Sequence, residues 1–292
     1  MADDRPFSPK IDRTYPAPKL KLPPGACDTH FHFIGPQAQF PLNPVRPFDH
    51  LQFEDTTYPD WERMQAACGL SRGLHVQSMM YGRNYESAVH AQCRYPDRIR
   101  TVVIMPWPEI TDRELTFLTD IGVVGARLSW RTEKSLDQRM IDRLNGFGWQ
   151  MHYLVRAGEL DPEWAKIILA TPGEFVLEHT GYPPADQGPD SKAFDFVMQC
   201  IDTGRCWLKL SARFTAQDDF PFDDTNAFVH KLVAHAPERL LWSSDWPHPQ
   251  YFKPMVNDVS LVDMMLDWVP DEKTRNMIFV DNPIRAFGFD PV

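Results

Sequence analysis

The chain has 292 residues, 43% of them hydrophobic, and a formal net charge of −10. A single α/β barrel typically takes about 250 residues, so the length and the hydrophobic content suit one such fold. The acidic charge argues against nucleic acid and anionic membranes as partners, because both attract basic surfaces. The net charge does not exclude a small anionic substrate, because a few local arginines can outweigh it at the site.

The cysteines and the N-terminal sequence indicate the compartment. The five cysteines are odd in number, scattered and without a CxxC pair, which is typical of reduced cytosolic thiols. The first residues form no apolar signal segment, and no apolar run approaches the ~18 residues of a membrane helix. We therefore expect a cytoplasmic protein, and we expect it to be a monomer or a small homo-oligomer.

Along the chain, short β-branched runs alternate with amphipathic stretches. Residues 1–24, rich in Pro, Lys and Asp, predict an N-terminal arm, and the fold itself is expected over 25–292. Strands are predicted at 26–30, 73–78, 99–105, 123–129, 150–155, 175–179, 207–211 and 240–244. Helices are predicted at 84–95, 111–121, 135–147, 162–170, 193–203 and 224–235. Strands separated by helical patterns indicate parallel βαβ units, and eight units predict a single (β/α)8 TIM barrel of the α/β class.

The connection after the first strand distinguishes this barrel from a doubly wound sheet. A doubly wound sheet would place a glycine-rich turn there, whereas this chain has His-Phe-His-Phe-Ile-Gly at 30–35. The segment 33–60 contains five prolines and is predicted to be a long irregular loop. Ordered loops of this length often bind or cover a ligand.

Two histidines, His30 and His32, end the first predicted strand. Side chains two residues apart in a strand point the same way, so both imidazoles face one spot. Such a pair can bind a metal, polarise a carbonyl or hold an anion. Chance spacing among the ten histidines of the chain is the alternative.

Polar and ionisable side chains also follow most of the other strands. The carboxyl ends of the strands of a (β/α)8 barrel meet at the face where catalysis occurs. These side chains are Gln77 and Ser78 on the second strand, Arg127 and Arg131 at the fourth, His152 on the fifth, Glu178 and His179 on the sixth, Lys209, Ser211 and Arg213 at the seventh, and Asp245 and His248 after the eighth. Their convergence predicts an active site.

Asp245 is the predicted general base. It follows an apolar strand between Trp242 and Trp246, where partial desolvation would raise its pKa and its basicity. A turn or helix cap is the alternative. His179 alone could be a core histidine, but opposite an HxH pair it is expected to be functional. His248 is a candidate substrate contact.

The sequence leaves two points open. His152 faces the barrel interior only if it shares the inner face of its strand with Gln150 and Leu154, and it would then add a fourth imidazole to a metal site. Arg127, Arg131 and Arg213 can clamp a substrate carboxylate, or they can be ordinary surface arginines.

Taken together, several stretches resemble the amidohydrolase superfamily, and within it the lactonase branch of the 2-pyrone-4,6-dicarboxylate hydrolase kind. The resemblance runs in order from residue 23 to residue 287. The matching stretches are 23–36, 39–41, 125–127, 178–181, 187–190, 242–249 and 282–283. They include the HxH pair, His179 and Asp245.

The resemblance implies a hydrolase that opens a small anionic lactone or pyrone, like 2-pyrone-4,6-dicarboxylate or a muconolactone. Asp245 would activate water, while His30, His32 and His179 polarise the carbonyl. From their positions at the strand ends, and not from the resemblance, the candidate substrate contacts are Gln77, Ser78, Arg127, Arg131, Arg213 and His248. Metal use varies in this branch, so the resemblance implies either no cofactor or one Zn²⁺ on the three histidines and Asp245, with His152 as a further candidate ligand.

Two departures from the family pattern bear on the substrate. Leu154 stands where the family has a substrate-contacting tyrosine, and Arg131 and Arg213 are displaced by a few positions. An isomerising relative carries Asn at the position of Asp245, so the aspartate favours hydrolysis. Two alternatives remain: a zinc-dependent non-oxidative decarboxylase of an aromatic or unsaturated acid, and an inactive ligand-binding barrel.

Overall fold

The computed structural model describes residues 4–211, 215–249, 251 and 253–292. Its eight strands form one parallel sheet in sequential order, β1 to β8. They are β1 (Cys27–Phe31), β2 (Arg72–Val76), β3 (Ile99–Val103), β4 (Val123–Ser129), β5 (Gln150–Leu154), β6 (Phe175–Leu177), β7 (Cys206–Leu210) and β8 (Leu240–Trp242). A parallel bridge between Phe31 and Trp246 joins the two edges. The predicted (β/α)8 barrel is confirmed.

Helices connect the strands, and the described part of the chain contains all six predicted ones. They are α2 (Glu86–Arg94), α3 (Asp112–Ile121), α4 (Gln138–Gly146), α5 (Pro162–Leu169), α6 (Lys192–Asp202) and α7 (Asn226–His235). The sequence patterns did not predict α1 (Tyr58–Cys68), α8 (Asp258–Asp263), α9 (Met265–Trp268), α10 (Glu272–Asn276) and α11 (Asn282–Phe287). Among the described residues, no helix combines the length and apolar character needed to cross a bilayer.

Helix α3 illustrates why these segments become helical. Thr111 and Glu114 cap its first turn reciprocally, so that orphan backbone N–H groups are satisfied. Gly122 ends it with φ of 107°, a left-handed conformation that favours glycine. Leu115 and Leu118 lie on one face and are buried against the sheet, and this packing stabilises the helix more than its intrinsic propensity does.

The inside of the barrel has an apolar floor. The inward side chains Cys27, Leu74, Val102, Val176, Trp207 and Leu241 form one buried cluster with Phe287 and Phe289. The C-terminal segment therefore closes the amino-terminal mouth of the barrel. A register shift in β1 between Asp28 and Phe31 changes which residues face inward, so Cys27 and His30 are both interior although they are three residues apart.

The segment before β1 lies across the loop that follows it. The backbone N–H of Ser8 donates to the carbonyl of Gln52 (2.8 Å), and that of Ile11 donates to Glu54 Oε1 (3.1 Å). The loop itself is long and irregular, as predicted, although its last residues belong to α1. Phe48 of this loop reaches the cavity at the carboxyl end of the barrel.

Candidate active site

Four side chains from three strand ends converge at the carboxyl-terminal mouth of the barrel. Asp245 Oδ1 lies 3.2 Å from His32 Nε2, 3.5 Å from His30 Nε2 and 3.7 Å from His179 Nε2. The Nε2 atoms of His30 and His32 are 3.3 Å apart. All four side chains are buried. The residues that the sequence singled out for chemistry thus form one compact cluster.

Backbone hydrogen bonds hold the ends of β1 and β8 together at this cluster. The N–H of Asp245 donates to the carbonyl of His30 (2.8 Å), and the N–H of His32 donates to the carbonyl of Trp246 (2.7 Å). Beneath them, Asp28 Oδ1 accepts from the N–H groups of His30 (3.1 Å) and Ser244 (3.0 Å). Burial raises the pKa of Asp28 to about 7, although hydrogen bonds from Ser244 oppose the shift.

The backbone at two cluster residues occupies the left-handed region. Asp245 has φ of 63° and His179 has φ of 50°. This conformation is uncommon for residues other than glycine and often accompanies functional sites, where the surrounding structure offsets its cost. It aims both side chains into the mouth of the barrel instead of continuing the strands.

A second polar layer lies directly below the cluster. Both Nε and Nη2 of Arg127 donate to Glu178 Oε2, at 2.9 and 2.8 Å. Lys209 Nζ lies 3.1 Å from His30 Nδ1, and His152 Nδ1 lies 4.0 Å from Glu178 Oε1. These four residues are buried. The sequence placed Glu178 and Lys209 among the converging strand-end residues but assigned neither a specific role, although a buried arginine on a barrel strand requires a carboxylate partner.

Two histidines of the cluster, His30 and His32, are kept neutral by their surroundings. Burial, and then the nearby charge of Lys209, hold the pKa of His30 well below its usual range. Burial lowers the pKa of His32 to about 3. Because His32 Nδ1 lies 2.6 Å from the Val76 carbonyl, which only accepts, Nδ1 carries the single ring proton and Nε2 is an acceptor.

These pKa shifts predict that the protein loses stability in mild acid. The unfolded chain protonates His32 and His75 near pH 6.5, while burial holds both folded pKa values at about 3. The contribution of these neutral histidines to the free energy of unfolding is therefore complete above pH 6.5. It is lost as the pH falls toward 3, by about 2 kcal/mol per histidine at pH 5.

Urea unfolding at pH 7.5, 6 and 5 tests this expectation. A His75→Phe variant should show a shallower fall than the wild type, because one of the buried imidazoles is gone. The buried carboxyl of Asp28 changes the stability in the opposite direction as the pH falls. Because both proteins contain Asp28, its effect cancels when their pH dependences are compared. Equal slopes would contradict the expectation.

A cavity of about 650 Å³ opens above the cluster, a volume typical of small-molecule sites. His32, His179 and Asp245 form its floor. The side chains that line it further up include Ser78, Arg127, Arg131, Leu154, Arg156 and Tyr182. Ser78, Arg127 and Arg131 thus reach the cavity, as the sequence suggested.

Besides His30 of the cluster, which is fully buried, three predicted residues do not line the cavity. The Gln77 amide donates to the carbonyls of Gly82 and Asn84 and accepts from the N–H of Ile104, so it organises the loops after β2 and β3. His248 Nε2 lies 2.9 Å from Asp258 Oδ1 beneath α8. His152 faces the barrel interior but belongs to the lower layer. Arg213 lies outside the described residues.

Arg156, which the sequence did not single out, is a further cationic group of the cavity. Its guanidinium lies 4.8 Å from the ring centre of Trp130, and that of Arg131 lies 4.3 Å from the same ring. Among the described residues, no carboxylate pairs with Arg131. The position of Arg156, just after β5, was the signal available in the sequence, because the catalytic face of a barrel is built from such loops.

The spacing of the nitrogen and oxygen atoms in the cluster also suits a zinc ion. His30, His32 and Asp245 place three ligand atoms within reach of one ion, and His179 Nε2 lies beside them. Ligand atoms in a tetrahedral zinc site with bonds of 2.0–2.1 Å stand ~3.3 Å apart. The separations of 3.2–3.5 Å among the first three atoms fit that spacing.

Comparisons with known proteins agree with this architecture. A 4-sulfomuconolactone hydrolase from Rhizobium radiobacter is 30% identical over 276 residues, covering 91% of each chain. A 2-pyrone-4,6-dicarboxylate hydrolase from Comamonas testosteroni is 28% identical over 286 residues, covering 92% of each. A crystal structure from Agrobacterium tumefaciens superposes with a TM-score of 0.80 at 24% identity, over 94% of this chain and all of that one.

A family model establishes the relationship that the sequence motifs suggested. The model, described as amidohydrolase, matches residues 27–289, which span the whole barrel from β1 to the segment after α11. The chain belongs to the amidohydrolase family.

Proposed function

We propose that this protein hydrolyses the ring ester of a small anionic lactone or pyrone. The observation that carries the proposal is the contact of one carboxylate oxygen, Asp245 Oδ1, with the Nε2 atoms of three histidines on the floor of a cavity lined by arginines. The names of the two curated relatives, a lactone hydrolase and a pyrone dicarboxylate hydrolase, support it.

Asp245 acts as the general base in this proposal. Its carboxylate lies 3.2 Å from the unprotonated Nε2 of His32, and both reach the floor of the cavity, where a water molecule can donate to Asp245. Asp245 removes one proton as the water oxygen bonds to the ring carbonyl carbon. A positioned base of this kind typically contributes ~10²–10⁴-fold in rate.

The histidines stabilise the charge that forms on the carbonyl oxygen. The resulting oxyanion needs N–H donors, and loss of one such donor typically costs ~3–4 kcal/mol. His32 has its proton on the far nitrogen, bound to Val76, so the donor is assigned to His30 Nε2, with His179 beside it. The tetrahedral intermediate then expels the ring oxygen, which takes the proton from Asp245.

A bound zinc ion would be held by His30, His32 and Asp245, and it would require the lone pair and not the proton at Nε2 of His30. When bound, it would supply Lewis-acid polarisation of the carbonyl and lower the pKa of a coordinated water. The donor spacing of the cluster fits such an ion. The roles of the arginines and of the cavity are the same with or without it.

The arginines at the cavity wall are proposed to bind the acidic groups of the substrate. Arg156→Gln is expected to raise KM by ~10-fold with little change in kcat, since the contact is made equally in the ground and transition states. Steady-state kinetics tests this, with Arg139→Gln as the control because that arginine pairs with Asp137 at the surface, away from the cavity. An unchanged KM would remove Arg156 from the substrate site.

The proposed function is tested by a screen of anionic lactones and pyrones on protein stripped of metal and then resupplied with zinc. Ring opening followed by absorbance, without release of CO₂, is the expected result. Release of CO₂ with the ring intact would instead establish a decarboxylase. Binding of these compounds without any turnover would establish an inactive barrel.

A further inference from the structure

Lys209 is a fully buried lysine to which the proposed mechanism gives no part. It projects from β7 into the layer below the cluster, and its Nζ lies 3.1 Å from His30 Nδ1. An ammonium group has three N–H donors and no acceptor. The neutral amine also carries N–H donors, and His30 Nε2 faces the lone pair of His32 Nε2 at 3.3 Å. His30 Nδ1 therefore accepts from Lys209, and the ring proton of His30 lies on Nε2.

His30 and His32 consequently hold opposite tautomers. His30 presents N–H at Nε2, and His32 presents a lone pair at Nε2 because its Nδ1 donates to the Val76 carbonyl. The two Nε2 atoms are 3.3 Å apart, the distance of a donor facing an acceptor. A metal ligand must offer a lone pair, so His30 in this tautomer is a proton donor and not a ligand.

A competing partner for His30 lies close by. Glu178 Oε1 is 3.9 Å from His30 Nδ1 and has no hydrogen-bond partner in the described part of the chain. A carboxylate that accepts a hydrogen bond from Nδ1–H would leave the Nε2 lone pair available to a metal, which is the usual outer-shell arrangement of metal-bound histidines. His30 thus lies between a donor and an acceptor, and the donor is nearer.

We propose that Lys209 is a positioning residue that holds His30 as a hydrogen-bond donor toward the reacting carbonyl and thereby disfavours zinc at the His30–His32–Asp245 cluster. Without Lys209, Glu178 accepts from Nδ1 and the cluster becomes a better zinc site. Only the catalytic role of the His30 donor depends on the proposed function. The tautomer and the zinc affinity are properties of the free protein.

The test compares wild-type protein, Lys209→Met and the control Lys166→Met, which removes an exposed lysine on α5. Nitrogen-15 NMR of histidine-labelled, metal-free protein reports which ring nitrogen of His30 carries the proton, and His30→Gln assigns the signal. Calorimetric titration with zinc reports the affinity. We expect the proton on Nε2 in the wild type and on Nδ1 in Lys209→Met, with zinc affinity raised ~10-fold or more and the control unchanged.

A wild-type His30 protonated on Nδ1 would overturn the inference, and so would a folded Lys209→Met protein that binds zinc no more tightly than the wild type. If Lys209→Met does not fold, the wild-type spectrum alone decides the tautomer. Neither measurement uses a lactone. A failure of the proposed function would appear as absent turnover with the tautomer unaffected, so the two failures are distinguishable.

Discussion

Replacing Asp245 with Asn is expected to lower kcat by ~10²–10⁴-fold, the contribution of a positioned general base. The amide has the size of the carboxylate but cannot take a proton from water. Substrate binding should change little, because the proposed anion contacts are made by arginines further up the cavity. The measurement is steady-state ring opening, together with substrate affinity by calorimetry.

Asp202→Asn is the matched control, since that aspartate pairs with His235 on the outside of the barrel. It should retain wild-type kcat and KM. If Asp245→Asn retained more than a tenth of the wild-type kcat with the fold intact, Asp245 would not be the base, and a proton acceptor elsewhere in the cavity would have to replace it.

Replacing Glu178 with Gln is expected to cost about 3–5 kcal/mol of unfolding free energy, the range for breaking a buried ion pair. Glu178 is the carboxylate between two buried cations: it binds Arg127 directly, and its charge favours the protonated form of Lys209. Its loss leaves Arg127 without a buried counter-charge and further disfavours the protonated form of Lys209, whose pKa burial already lowers to about 7. Arg127→Met should cost less, because Glu178 then still has Lys209.

Urea unfolding at pH 7.5 measures these costs. Glu159→Gln is the control, because Glu159 also pairs with an arginine, Arg156, but at an exposed position where such pairs contribute ~0–1 kcal/mol. The double variant Glu178→Gln with Arg127→Met should be more stable than Glu178→Gln alone, since one uncompensated charge is removed. An additive loss in the double variant would contradict this electrostatic account.

The alternation of elements could be predicted because each signal was local. All eight strands and six of the helices follow from β-branched runs and amphipathic spacing, and β4 was predicted with its observed bounds. The helices after residue 250 were not predicted, because they are short and no further strand separates them from one another. Helix α8 contacts α1, α9 contacts α7 and α11 contacts β8, and such long-range packing is not visible in a local pattern.

The composition of the catalytic cluster could be predicted, but its electrostatics could not. The HxH spacing, the positions at strand ends and the convergence rule for barrels together identify His30, His32, His179 and Asp245. The orientation of His152 depended on strand parity, which only the register resolves. The pairing of Arg127 with Glu178 joins residues at the ends of different strands, 51 positions apart. A local sequence pattern cannot predict such a pair.

The most direct test of the proposed chemistry is ring opening of an accepted lactone in water enriched in oxygen-18. Hydrolysis by activated water predicts one heavy oxygen in the newly formed carboxylate and none in the released hydroxyl, with incorporation lost in Asp245→Asn. A product without heavy oxygen, or with the label in the hydroxyl, would contradict attack of water on the carbonyl.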